Sequence, residues 1–385
     1  MKKHIAIRYA TVLSVLLLTS SIAQGCTQSH ESTMSNVTLQ EVTETDKSSQ
    51  AEATSDCVTE SNDLHPYEFT LCFAGDVSLA DDAVTIAQMN ASPNGIEDCI
   101  SAQLRQTMRD ADCMILNNEF TYSTAGAPLA GKAYTFRSNP EHVTILQELG
   151  VDAVCLANNH VYDYGEQALL DTFTTLEDAG IPYFGAGRNI QEATAPYYIE
   201  MQGKTIAIVA ASRAEKNKMT PQATDDSPGI LRCYDTTLFL EEIKEAKKHA
   251  DFVIACVHWG TEYSEELEQV QIDTARDYID AGADVIIGAH PHILQGMDYY
   301  HNAPIFYSLG NFWFNSKSLD TMLVTLRIYG DDNGYTIEPC ITPALQANCT
   351  TAYLEVPEDR KAFYDHLMEL SPNIVIDDNG IVQQP

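Results

Sequence analysis

The sequence is poor in positive charge. Lys and Arg number 22 against 55 Asp and Glu, a formal net charge of −33. That balance argues against nucleic acid as a partner, because phosphate binding needs a basic face. It suits a soluble protein that does not adhere to an anionic envelope, or one that draws in cations. No Cys-x-x-Cys pair occurs among the ten cysteines, and setting Cys26 aside leaves an odd number. Neither a dense disulfide framework nor a thiolate metal site is therefore expected. Cys72, Cys113, Cys155 and Cys256 sit in apolar runs and read as small buried hydrophobes. Cys340 and Cys349 are the best pair if any bridge forms. Aromatic residues are absent between Thr27 and His65, where Ser, Thr, Glu and Gln dominate. Such a segment cannot bury enough apolar surface to fold and reads as a tether. No internal repeat is present.

The N-terminal apolar run, Tyr9–Leu18, falls short of the roughly 20 residues that a membrane-spanning helix needs. Lys2, Lys3 and Arg8 precede it and small residues follow, which is the pattern of a secretion signal. The ending Ile22-Ala23-Gln24-Gly25-Cys26 resembles a lipoprotein processing site, with Cys26 as the lipidated residue. The expected organisation is a signal over 1–25, a tether over 26–66, a folded domain over 67–345, and a C-terminal extension, 346–385, packing on that domain. The protein is expected outside the cytoplasm, lipid-anchored at Cys26, or secreted if the signal is cleaved in the ordinary way.

Beyond the tether the pattern is α/β throughout. Strands are predicted at Glu68–Ala74, Cys113–Leu116, Ala153–Ala157, Phe252–Val257, Val285–Ile287, Ile305–Ser308, Met322–Ile328 and Tyr335–Cys340. Helices are predicted at Ile96–Asp110, Glu141–Leu149, Glu166–Ala179, Thr237–Ala250 and Val270–Ala281. Tyr197–Met201 and Thr205–Ala211, joined through Gln202-Gly203, read as a hairpin. The expected fold is one α/β domain with two stacked sheets flanked by helices.

The polar residues of interest share a placement: each follows directly on an apolar strand. Asp76 follows Thr70–Gly75; Asn118 and Glu119 follow Cys113–Leu116; Asn158, Asn159 and His160 follow Ala153–Ala157. His258 follows Phe252–Val257, and His290 and His292 follow Val285–Gly288. Ligands of α/β sheets bind beyond the carboxyl ends of the strands, so five segments can converge on one pocket. Two histidines flanking Pro291 repel each other when protonated and do well when a metal keeps them neutral. Imidazole and oxygen donors without thiolate suggest Mn²⁺, Zn²⁺ or Fe. A carboxylate shared between two such cations is the arrangement of two-metal hydrolases.

Six motifs carry a resemblance: Phe73-Ala-Gly-Asp-Val-Ser78, Leu116-Asn-Asn-Glu119, Ala157-Asn-Asn-His160 with Asp163-Tyr-Gly165, Val257-His-Trp-Gly-Thr-Glu262, Gly288-Ala-His-Pro-His292 and Ser308-Leu-Gly-Asn-Phe312. In order and spacing they resemble the CapA (PgsA-like) family associated with poly-γ-glutamate capsule synthesis, over about residues 68–315. That family's domain is in turn similar to calcineurin-like metallophosphoesterases. The resemblance implies two divalent ions, with Asp76, Glu119, Asn159, His258, His290 and His292 as ligands, Glu119 bridging, and His160 as general acid. Two departures stand out. The phosphoesterase Asp-x-His opening is missing, since Val77-Ser78 follows Asp76, and the bridging acid is Glu rather than Asp. One metal position is thereby left thinner in ligands.

Around this set, Asn118, Asn158, Asp163, Trp259 and Glu262 are expected to line or support the pocket, and Asn311 to hold a ligand histidine by a hydrogen bond. Arg137 and Arg213 are candidates for anion contact, or else surface ion-pair residues. Two functions fit. One is an enzyme whose activated water cleaves a phosphoester or γ-glutamyl amide in an envelope polymer. The other is a non-catalytic subunit that binds an anionic polymer or its precursor and works with membrane subunits of a polymer synthase. Simple adhesion would leave the histidines without a role.

Overall fold

The computed structural model describes residues 66–215 and 218–385. The signal, Cys26 and the tether up to His65 lie outside the described residues.

Two mixed sheets stack face to face. The first runs Thr350–Tyr353, Gly334–Ala347, Leu319–Asp331, Tyr67–Val77, Cys113–Asn118, Ala153–Cys155, Tyr183–Phe184, and the short Asn311–Trp313 joins it beside Tyr67–Val77. The second runs Met297–Tyr300, Ala303–Phe306, Val285–Ala289, Phe252–His258, Lys204–Ser212, Tyr197–Met201. The expected Gln202-Gly203 hairpin is present, with Tyr197 opposite Ile208 and Met201 opposite Lys204.

Strand alternation builds the layers. Leu71, Phe73 and Ile115 face inward against Ile208, Ile254 and Ile287 of the second sheet. Cys72, Ala74, Met114 and Leu116 face outward onto helices Ala102–Asp110, Val143–Leu149 and Glu166–Ala179, meeting Leu104, Leu146 and Phe173. On the far side, Val209, Val253 and Val257 meet Phe239 and Tyr278 of helices Thr237–His249 and Gln269–Ala281. Strands covered on both faces read as unbroken apolar runs, which is why they were recognisable.

One element differs from expectation. The helix predicted over Ile96–Asp110 is split into a 3₁₀ turn, Gly95–Asp98, and a helix, Ala102–Asp110. Between them Ile100 bridges Thr351, and Ser101 N–H donates to the Thr351 carbonyl, so tertiary pairing interrupts the helix. The Gly334–Ala347 strand carries the chain past position 345. Beyond it, helix Pro357–Leu370 places Phe363, Tyr364 and Leu367, with Ile374, Ile376 and Val382, in the core cluster shared with both sheets. Cys340 and Cys349 form no bridge, and all eight cysteines among the described residues are free. Cys349 is buried, with its carbonyl accepting from Trp313 Nε1, while Cys340 Sγ reaches the Asn379 carbonyl. Among the described residues no helix is long and apolar enough to cross a membrane.

Candidate metal centre

The parallel strands of both sheets end at the same edge of the sandwich, and their last residues and following turns make one cluster. Asp76, Glu119, Asn158, Asn159, His160, Asp163, His258, His290, His292 and Asn311 are all buried there. Close backbone contact brings Asp76 and Asn311 side by side: a Cβ on Gly75 would lie 1.9 Å from the Gly310 carbonyl oxygen. Only glycine permits that approach.

Two groups of donor atoms emerge. One consists of Glu119, His258 and His290, the other of Asp76, Glu119 and His292, with ligand atoms in each within 4.8 Å of one another. Glu119 belongs to both. Asn159 Oδ1 lies 2.7 Å from His258 Nε2, adding an amide oxygen to the first group. His292 Nδ1 lies 3.2 Å from Asp76 Oδ2 and 2.8 Å from Asn311 Oδ1. Both His290 (φ 99°) and His292 (φ 62°) hold left-handed backbone conformations. For non-glycine residues such conformations cost on the order of 1–3 kcal/mol each and concentrate at functional sites.

The donors fit metal ions. Glu119 Oε1 and His290 Nδ1 are buried and have no hydrogen-bond partner. A buried polar atom left unpaired costs about 1–3 kcal/mol, more if charged, so a bound cation is the natural counterpart. Electrostatics divide the donors. Burial first, and then the Asp76 charge, pushes the Glu119 carboxyl well above its ordinary range. Asp76, against the opposing effect of burial, is held low by hydrogen bonding and charge from His292 and by its bond from Asn117. Burial, reinforced by neighbouring imidazoles, depresses His258 strongly and His290 to about 3. His292 behaves oppositely: burial would lower it, but Glu119 and Asp76 raise it to about 9. Neutral imidazoles and ionised carboxylates are the forms that bind metal, so Asp76, His258 and His290 stand ready, while Glu119 and His292 must each give up a proton to a bound cation.

His160 stands apart from the donor groups. Its Nδ1 lies 2.6 Å from Asp163 Oδ2; an ionised carboxylate only accepts, so Nδ1 carries the proton in that bond. Nε2 is thereby turned toward the centre, 3.9 Å from Glu119 Oε1. Burial lowers the His160 pKa despite the Asp163 charge. Asp163 is further held by Lys132 Nζ at 2.6 Å and by the Phe136 N–H at 2.7 Å. Phe136 packs on the His160 ring at 4.3 Å, and Phe314 on His292 at 4.7 Å.

Several expected neighbours are placed differently. Asn118 Nδ2 bonds the Phe120 carbonyl, and it is Asn117 that faces the centre. Asn117 Nδ2 donates to Asp76 Oδ1 at 2.8 Å and to Glu119 Oε2 at 3.4 Å and lies 3.3 Å from His258 Nδ1, while its Oδ1 accepts from Asn158 at 3.0 Å. Asn158 also bonds the Asn118 carbonyl and, through Oδ1, the His160 N–H. Trp259 does not line the pocket. It is buried behind the second sheet against Tyr278 and Tyr307, with Nε1 bonded to the Tyr307 carbonyl. Glu262 is exposed on the following loop. Arg137 folds over Tyr164 and bonds the Ala125 carbonyl, and Arg213 stacks over Tyr234. Residues not singled out from sequence include Asn117, Lys132, Phe136, Phe314 and Tyr263, which approaches His292 at 5.8 Å beneath Lys317 Nζ, 3.6 Å over its ring.

Comparison with known proteins agrees with the motifs. The family model described as "Bacterial capsule synthesis protein PGA_cap" matches residues 70–316. The chain is 31% identical over 268 residues to the PGA biosynthesis protein CapA of Bacillus subtilis, covering 68% of each chain. It is 35% identical over 214 residues to the capsule biosynthesis protein CapA of Bacillus anthracis, covering 54% of this chain and about half (51%) of that one. A probable polyglutamine synthesis accessory protein of Mycobacterium tuberculosis is 28% identical, covering 52% of this chain and 55% of its own. Among solved structures, a putative 5'-nucleotidase from Staphylococcus aureus aligns at 13% identity and TM-score 0.45 over 78% of this chain and 58% of its own. Likeness at that level bears on neither substrate nor activity. With two linked donor groups and the six motifs matched over most of the folded part, the chain belongs to the family of bacterial capsule synthesis proteins PGA_cap.

Proposed function

We propose that the protein is a metal-dependent hydrolase of capsule or poly-γ-glutamate synthesis, cleaving a phosphoester or γ-glutamyl amide in an anionic envelope polymer or its precursor. The observation that carries this reading is Glu119, shared by two donor groups and facing a histidine–aspartate pair. Asp76, Glu119, Asn159, His258, His290 and His292 would hold two divalent ions, Mn²⁺, Zn²⁺ or Fe. When bound, such ions supply Lewis acidity and lower the pKa of a water to near neutrality. The chain's own contribution is positioning and proton transfer. Asp163, itself held by Lys132 and the Phe136 amide, fixes His160 with Nε2 aimed into the centre and favours the doubly protonated ring, whose second proton would sit there. From there it can pass to the leaving oxygen or nitrogen. Phe136 and Phe314 cover the two imidazoles and limit water around them.

A second reading is a non-catalytic accessory subunit that binds the polymer beside membrane components of a synthase. It is favoured by the Mycobacterium tuberculosis relatives, which are named as probable polyglutamine synthesis accessory proteins. In either case we place the protein outside the cytoplasm, anchored by lipid at Cys26 beyond the 26–66 tether.

His160→Asn separates the two. A placed general acid typically contributes about 10²–10⁴-fold in rate. The variant should keep its metal content and thermal stability, yet lose turnover of a competent substrate by that factor and polymer output in the cell. Full polymer output with normal metal content would leave the accessory reading standing.

A further inference from the structure

The Asp76–Glu119–His292 position lacks the histidine that an Asp-x-His opening would supply. Ser78 stands in its place, a buried hydroxyl with no partner. We propose that Asn311 supplies the missing ligand, binding the second ion directly through Oδ1. This rests on the two-metal reading above.

The first observation is register. Asn311–Trp313 pairs in parallel with the Asp76 strand, and Asn311 is the register partner of Asp76. Cross-strand partners present their side chains on the same face, with Cβ atoms about 5 Å apart, so the amide is delivered beside the carboxylate. On the other flank Asp76 is in register with Asn117, whose amide nitrogen is already committed to Asp76 and Glu119.

The second observation is repetition. At the first position an amide oxygen and a carboxylate oxygen converge on one imidazole nitrogen: Asn159 Oδ1 at 2.7 Å and Glu119 Oε1 at 3.5 Å from His258 Nε2. At the second, Asn311 Oδ1 lies 2.8 Å and Asp76 Oδ2 3.2 Å from His292 Nδ1. One ring N–H cannot serve two acceptors fully, whereas three donor atoms spaced this way can share one cation. The third observation is that Asn311 Nδ2 is buried without a partner. A side chain placed there only to accept from His292 would leave that amide unpaired with no return, whereas coordination offsets the cost.

The test is a crystal structure of the full chain loaded with Mn²⁺, located by anomalous scattering, together with Mn²⁺ titration of the wild type, Asn311→Ala and Asn311→Asp. We expect manganese in both positions, Asn311 Oδ1 within about 2.2 Å of the second ion, loss of the second equivalent in Asn311→Ala with the first retained, and its recovery in Asn311→Asp. An ion at Asp76–Glu119–His292 with Oδ1 outside coordination distance, and His292 Nδ1 still donating to Oδ1, overturns the assignment of Asn311 alone. So does an Asn311→Ala variant that binds both equivalents as the wild type does. An ion bound only by Glu119, His258 and His290 overturns the two-metal reading itself.

Discussion

The first sheet delivers oxygen to the centre and the second delivers nitrogen. Asp76 lies near the end of a strand of the first sheet and Glu119 and Asn159 follow its strands, while His258, His290 and His292 close or follow strands of the second. Apart, each half is unfavourable. The acidic half buries two carboxylates within reach of each other, which burial and mutual repulsion resist. The basic half crowds three imidazoles, with ring centroids 4.7 Å apart for His258 and His290 and 6.1 Å for His290 and His292. Brought edge to edge, the halves make sites of mixed donors that neither sheet could form. Metal binding therefore reports on how the sandwich closes, and the variants below test whether the halves depend on each other.

The largest effect is expected from Glu119→Gln, because this oxygen-side residue belongs to both donor groups. Bound metal should fall from about two equivalents to less than one. The metal-free protein should respond in the opposite sense. A carboxyl whose folded pKa is raised above its unfolded value favours folding only at low pH, and that advantage fades as pH rises through the folded pKa. A neutral amide removes the liability, so the variant without metal should be more stable than the wild type without metal at neutral pH. Thermal melts in chelator and metal analysis on the same samples check both halves. Two retained equivalents would show that neither position depends on the shared carboxylate.

Phe73→Ala attacks the interface between the halves rather than the donors. Phe73 is 1% exposed, on the inner face three residues before Asp76. Removing such a ring costs about 3–5 kcal/mol. If the sheets must be clamped to form the centre, Mn²⁺ affinity should fall as well, measured by titration at a temperature where the variant is still folded. Lower stability with unchanged affinity would mean that local strand ends place the donors.

The layers and most of the donors were legible because of alternation and strand-end placement, and the misreadings have the same origin. Taking Cys113–Leu116 as the whole strand leaves Asn117 out of the site and makes Asn118 a pocket residue. The strand in fact continues to Asn118. Ile115 faces inward and Leu116 outward, so alternation carries Asn117 to the centre and Asn118 away from it. Trp259 errs in parallel: Val257 faces the outer helices, His258 points inward, and Trp259 returns to the outer layer. Period two, carried two residues past each apolar run, would have sorted both. Lys132 and Phe136 had no such signal, since they lie between Tyr122 and Arg137 on a segment without regular structure, positioned by Asp163. The break at Ile100 likewise depended on Thr351, some 250 residues away in sequence.

Asn117→Ala should have the smallest effect and makes the finest distinction. Asn117 comes from the oxygen side, yet it contacts Asp76, Glu119 and the nitrogen-side His258 at once. It completes neither donor group, so the number of metals bound should stay the same. Losing a side chain that orients ligands typically costs about 10–100-fold in metal affinity. Because Asn117 touches Glu119, which both groups share, the weakening should appear at both positions and by similar factors. Stepwise Mn²⁺ titration resolves the two affinities. If only the Asp76–Glu119–His292 position weakens, Asn117 serves its own sheet, and its contact with His258 does not couple the halves. If only the Glu119–His258–His290 position weakens, the amide acts mainly through the imidazole. An equal loss at both would place Asn117 as the pin between the acidic and the basic half of the centre.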